Sequence, residues 1–167
     1  AERNAKVAEA RFLRAIYYFN AVEQFGGVTM LTEPETTLNY APERTDPLTI
    51  YKEVIIPDLE YAVEWLAVGT HATTTVPTKK AALGFLAKAC LQTYEYGSTE
   101  YLQKALDSAK ELIADCESGG AKYNAYMYRP MKKFLKNRII GKIKKLCGSI
   151  VGMLVLMVMV LVTVTIN

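Results

Sequence analysis

Phe12, Ala15, Ile16, Phe19 and Val22 follow one another at +3, +4, +7 and +10, which places a single apolar stripe on a helix over residues 2–25. Tyr17 and Tyr18 widen the stripe, so this helix is expected to pack on two sides. Gly26-Gly27 ends it, because glycine readily takes the left-handed conformation that closes helices. Residues 28–45 carry Pro34, Pro42 and scattered Thr and Asn, and read as a surface loop with one extended stretch around 28–31. Asp46-Pro47 is a start signal, a carboxylate cap followed by proline at the first helical position. The helix it opens runs to about Ala67 with Leu59, Ala62, Val63 and Leu66 on one face. Pro57 predicts a bend or break within it.

After a loop over 68–75, Pro77 opens a helix to about Tyr96 that turns Ala82, Phe85, Leu86, Ala89 and Cys90 inward. Its small residues (Ala81, Ala82, Gly84, Ala87, Ala89) allow a neighbouring helix to approach closely. Gly97 ends that helix, and Ser98 caps a fourth from Thr99 to about Cys116. There Leu102, Ala105, Leu106, Ala109, Leu112 and Ile113 hold the same period until Ser118-Gly119-Gly120 stops it. Nothing in 1–117 alternates with a period of two over any length. The fold class is therefore all-α, and the last two helices form a helical hairpin resembling a tetratricopeptide unit in an array of such hairpins.

Charge divides the 167-residue chain into unlike pieces: all 17 acidic residues lie in 1–117, which carries a net −6, whereas 118–167 carries +9. Residues 131–148 hold seven Lys or Arg and no acid, and 150–166 is a 17-residue run of Ile, Val, Gly, Met, Leu and Thr only. That run reads as a C-terminal hydrophobic helix of about 26 Å at a rise of ~1.5 Å per residue, the short end of a membrane span. Basic residues before an apolar run resemble a signal sequence or signal anchor beginning at Met131. At 51% apolar and 22% charged residues, the chain as a whole is not disordered.

Four collinear segments carry a family resemblance. The first runs from Glu9 to Phe19 (EARFLRAIYYF) and continues through Phe25-Gly26-Gly27-Val28 and Leu31-Thr32-Glu33-Pro34. The second is Ile50-Tyr51-Lys52-Glu53-Val54-Ile55 with Asp58-Leu59-Glu60-Tyr61-Ala62. Thr78-Lys79-Lys80-Ala81-Ala82 with Leu86-Ala87-Lys88-Ala89 is the third, and Ala105-Leu106-Asp107-Ser108-Ala109 the fourth. Together they resemble the SusD/RagB family over about residues 1–122. Met30 departs from the family's proline-containing loop motif.

The resemblance implies a surface-exposed lipoprotein of the Gram-negative outer membrane. Such a protein captures oligosaccharide or another nutrient and lies as a lid over a SusC-type TonB-dependent transporter. It implies a binding protein and not an enzyme, with no cofactor, and it puts no family ligand residue on a position of this chain. The chain starts at Ala1 without signal peptide or lipobox cysteine, which reads as an internal fragment of a longer protein. The expected organisation is a partial SusD-like domain over 1–122, a junction over 123–130 and the basic and hydrophobic tail over 131–167. The positive-inside rule puts the basic side of 150–166 in the cytoplasm, whereas the resemblance puts 1–117 outside. The tail therefore reads as foreign, from a frameshift or fusion. A native anchor carrying a helical-repeat interaction module without glycan binding is the alternative.

Candidate chemistry is sparse. Trp65 and eleven tyrosines offer rings for stacking on sugars, yet Trp65, Tyr17, Tyr18, Tyr61 and Tyr94 sit among apolar neighbours and are expected to pack between helices. Tyr123, Tyr126 and Tyr128 are less constrained. His71, the one histidine, stands in a Thr-rich loop as a solvated residue. Glu60 and Glu64 share a face as solvated charges. The three cysteines Cys90, Cys116 and Cys147 make neither a disulfide framework nor a metal centre, Cys90 being expected in the core and Cys147 a candidate for acylation. No phosphate loop, nucleophile motif or metal-ligand spacing occurs. The basic cluster over 132–145 suits anionic lipid rather than nucleic acid, since an apolar run follows it directly.

Overall fold

The first helix, α1 (Glu2–Phe25), forms over the predicted stretch and buries Ala8, Phe12, Ala15, Phe19 and Val22, five positions on one face. The structure, a computed structural model, describes residues 2–33, 41–69 and 76–125. His71, Tyr126, Tyr128, Cys147, the basic cluster and the hydrophobic run lie outside the described residues, so the expected C-terminal helix does too.

Gly26 closes α1 at φ 70°, and its N–H donates to the Val22 carbonyl at 2.9 Å. The extended stretch that follows makes a single antiparallel bridge, Val28 with Thr45. Met30 packs against the core, and the Tyr18 hydroxyl accepts the Leu31 N–H at 2.8 Å.

Asp46 caps α2 (Pro47–Ile50) as predicted, its carboxylate accepting from the Leu48 and Thr49 N–H groups at 3.0 and 3.3 Å. Pro57 does not break the helix. A π-helical turn over Tyr51–Ile55 leads directly into α3 (Ile56–Trp65), and Ile55 and Ile56 keep right-handed helical dihedrals. Pro57 has no N–H to give the Glu53 carbonyl, and its ring needs room there. The wider turn, in which the Ile56 N–H reaches the Tyr51 carbonyl, supplies that room without a bend.

The next two helices are shorter than the sequence predicts. α4 (Lys79–Gln92) starts two residues after Pro77, with Thr78 as its cap residue. It stops before Tyr96 because the Thr93 hydroxyl donates to the Cys90 carbonyl at 2.8 Å and the Ser98 N–H to the Thr93 carbonyl at 3.0 Å, which turns the chain at Gly97. α5 (Leu102–Glu117) then begins three residues later than expected and buries Ala105, Ser108, Ala109, Leu112 and Asp115.

Helices adjacent in sequence pack side by side: α1 on α3, α3 on α4, α4 on α5. The larger core cluster joins Phe12, Phe19, Val22, Tyr51, Ile55, Leu59, Leu86 and Cys90. Each such large side chain contributes on the order of 2 kcal/mol on burial. Edge-to-face rings lock it, Phe12 with Phe85 at 5.8 Å and Phe19 with Tyr51 at 6.0 Å. A second cluster lies between α4 and α5 and comprises Leu83, Ala87, Ala109, Leu112, Tyr123 and Ala125. The described residues are all helix, turn and loop apart from the one bridge, an all-α arrangement.

Candidate functional site

The seam between α1 and α3 gathers the charged and aromatic side chains with the most defined geometry. Asp58 occupies a buried position on α3 and receives a fork from Arg14 of α1, Nε to Oδ2 at 2.6 Å and Nη2 to Oδ1 at 2.8 Å. The carboxylate side chain is 3% exposed, the guanidinium one 37%, so the charge is buried from one side only. The hydrogen bonds from Asp58 raise the Arg14 pKa further, and the pair is fully charged. Arg11 stands one turn earlier, 3.9 Å from Asp58, and its guanidinium lies 4.3 Å over the Tyr61 ring. Tyr61 and Trp65, four residues apart on α3, continue the row with ring centroids 6.3 Å apart and planes tilted by 36°. Cation, ring and ring thus form a line along one helix. Stacking of apolar ring faces and hydrogen bonding of hydroxyls are what such a line offers a sugar; it offers no nucleophile and no proton-transfer pair.

Trp65, Tyr18 and Tyr61 are half-buried against the core, as expected from their apolar neighbours. Tyr17 and Tyr94 are not: they are 71% and 47% exposed, and the expectation that they pack between helices is corrected. Tyr17 belongs to a second stripe of α1 with Val7, Leu13 and Phe25, all exposed, on the side away from Phe12 and Phe19. Helical period names the face on which a residue lies, but not whether another element covers that face. Glu60 is paired with Lys104 of α5, and Glu64 is exposed, so the two carboxylates do not act together.

Cys90 is buried, which pushes its thiol up to about 12 and leaves it an unreactive core residue. Cys116 is half-buried and also unpaired by a disulfide. Among the described residues no group of three His, Cys, Asp or Glu is placed to hold a metal, and no helix is long and apolar enough to cross a membrane. Sequence reasoning missed Arg14, Asp58 and Asp115. Their one local signal is a charged residue in phase with an apolar face, as Asp58 is with Val54 and Ala62.

Residues 2–91 match a protein-family model of SusD-like sequences described as starch-binding and associating with the outer membrane. The chain is 32% identical over 112 residues to SusD-like protein P2 of Formosa agariphila, covering 66% of this chain and 21% of that protein. Among solved structures it is similar to a SusD superfamily protein of Parabacteroides distasonis, with TM-score 0.59 and 32% identity over 67% of this chain and 24% of that one. A SusD-like protein of Bacteroides fragilis matches with TM-score 0.55 and 28% identity over 66% and 20% of the two chains. The chain therefore spans between a fifth and a quarter of the length of these relatives.

Proposed function

Because the chain belongs to the SusD-like family, we propose that it serves as part of the glycan-capturing component of an outer-membrane nutrient-uptake system, a binding protein rather than an enzyme. The observation that carries this reading is the match over residues 2–91 to a family described as starch-binding and associating with the outer membrane. Capture and handover is the mechanism: an oligosaccharide is held outside the cell, and a SusC-type TonB-dependent transporter takes it up from beneath. The chain's own contribution to glycan contact falls to aromatic rings that water reaches. Tyr17 and Phe25 on α1 and Tyr94 at the α4–α5 turn are each 47% exposed or more. Arg11, Tyr61 and Trp65 form the more ordered row, and their edges face the α1–α3 seam.

Affinity electrophoresis of the full chain through gels containing starch or other polysaccharides tests the proposal. Retardation by starch that weakens in Tyr17→Ala or Trp65→Ala supports glycan capture by these rings. Migration unchanged by every polysaccharide of a broad panel overturns it for this chain.

A further inference from the structure

The chain leaves α5 through a left-handed turn that reverses its direction. The Gly120 N–H donates to the Asp115 carbonyl at 2.8 Å and the Gly119 N–H to that of Cys116 at 3.4 Å, with φ at 81° and 83°. A Cβ on Gly120 would stand 2.9 Å from the Ala125 carbonyl oxygen, so this position admits glycine alone. Residues 121–125 then run back over the α4–α5 seam. Tyr123 and Ala125 are buried there against Leu83, Ala87, Ala109 and Leu112.

One carboxylate gathers the returning backbone. Asp115, 4% exposed, accepts the Lys122 N–H on Oδ1 at 2.6 Å and those of Tyr123 and Ala125 on Oδ2 at 3.1 and 2.9 Å. Asn124, in the left-handed region at φ 55°, ties the far end to the segment after α3. Its Nδ2 donates to the Gly69 carbonyl at 3.0 Å, and its own carbonyl accepts from Lys80 Nζ at 3.3 Å. Glu111 accepts from the Tyr123 hydroxyl and pairs with Lys122.

We propose that residues 118–125 form a strap that opens and closes as one unit, latched by the Asp115 carboxylate, and that its opening uncovers the apolar seam between α4 and α5. Three N–H groups share two oxygens of one side chain, so no single bond can be given up without loosening the geometry of the other two. Two consecutive glycines supply the hinge. The apolar cluster under the strap is separate from the larger one that joins α1, α3 and α4, so the strap can lift while that core stays closed.

Amide hydrogen exchange on the full chain tests this. In the unmodified protein the amides of Lys122, Tyr123 and Ala125 should share one opening equilibrium, at least about tenfold less protected than Phe19 and Leu86. Asp115→Asn should lower the protection of all three by roughly a hundredfold and leave Phe19 and Leu86 unchanged. Asn124→Ala, which keeps the latch, should lower the three by one common, smaller factor. Three amides with widely different equilibria overturn the proposal. So does a latch variant in which Phe19 and Leu86 lose protection by the same factor, since the strap is then no separate unit.

Discussion

Removing either half of the Arg14–Asp58 fork breaks the same two hydrogen bonds, yet the two removals are expected to differ in cost. Arg14→Met strands a carboxylate that is 3% exposed, with only Arg11 at 3.9 Å to answer its charge. An uncompensated buried charge of this kind costs about 3–5 kcal/mol when nothing replaces its partner. Arg11 offsets part of that, which leaves an expected loss of about 2–3 kcal/mol. Asp58→Asn instead leaves a guanidinium whose side chain is 37% exposed, free to take up water, while the amide oxygen still accepts one N–H. The expected loss is about 1 kcal/mol. Urea unfolding at pH 7, followed through the fluorescence of Trp65, the only tryptophan, reads both values. At roughly 4 °C per kcal/mol, the two Tm values should separate by several degrees. Equal losses, or a larger loss for Asp58→Asn, would refute the reasoning that asymmetric burial decides the cost.

Burial pushes the Asp115 carboxyl up, but the N–H groups of Lys122, Ala125 and Tyr123 outweigh it and hold the group below its ordinary 3.8. A depressed native pKa adds stability above the unfolded value and loses it as pH falls through the native one. The gap in urea midpoint between the unmodified protein and Asp115→Asn should therefore be full at pH 6 and narrow as pH drops below about 3.8; a gap constant down to pH 2.5 contradicts this. Gly27→Ala places a Cβ 2.6 Å from the Thr45 carbonyl oxygen, a backbone atom that cannot swing away. Thermal unfolding should show it to be destabilised by more than about 2 kcal/mol, against about 1 for Gly26→Ala, where only the positive φ is strained. Tyr17→Ser should change stability by less than about 0.5 kcal/mol, since its ring stands in solvent, and a larger drop in Tm would show that something covers it.

Local patterns in the sequence were enough to place α1, the Asp46-Pro47 cap and the paired α4 and α5, because each rests on contacts a few residues long. The small residues of α4 also end up where predicted, with Ala82, Ala87 and Ala89 buried. Helix ends went wrong where a side chain competed for the backbone, as Thr93 does for the Cys90 carbonyl. Arg14 and Asp58 are 44 residues apart, and no local pattern pairs them. Asp115 was hidden differently: it lies three residues after Leu112 on the buried face, and its partners are backbone N–H groups, which carry no sequence signal. The aromatic row was legible as residues but not as a site, since the bearing of Arg11 on Tyr61 depends on how two helices lie together.

Ile50, Val54, Asp58, Ala62 and Leu66 are all buried and stand at intervals of four. A regular helix turns 100° per residue, so a strict four-residue interval drifts steadily around its axis. The wide turn at Tyr51–Ile55 takes up part of that drift and works as a phase adjuster between the capped start of the helix and its charged middle. Shortening this stretch by one residue would give a perfectly regular helix and still be wrong. Everything after it would swing by roughly a quarter turn, carrying Asp58 out from under Arg14 and Leu59 out of the core. Chain length here is thus set by rotational registration rather than by reach, and the segment tolerates substitution at exposed Lys52 and Glu53 far better than deletion of either.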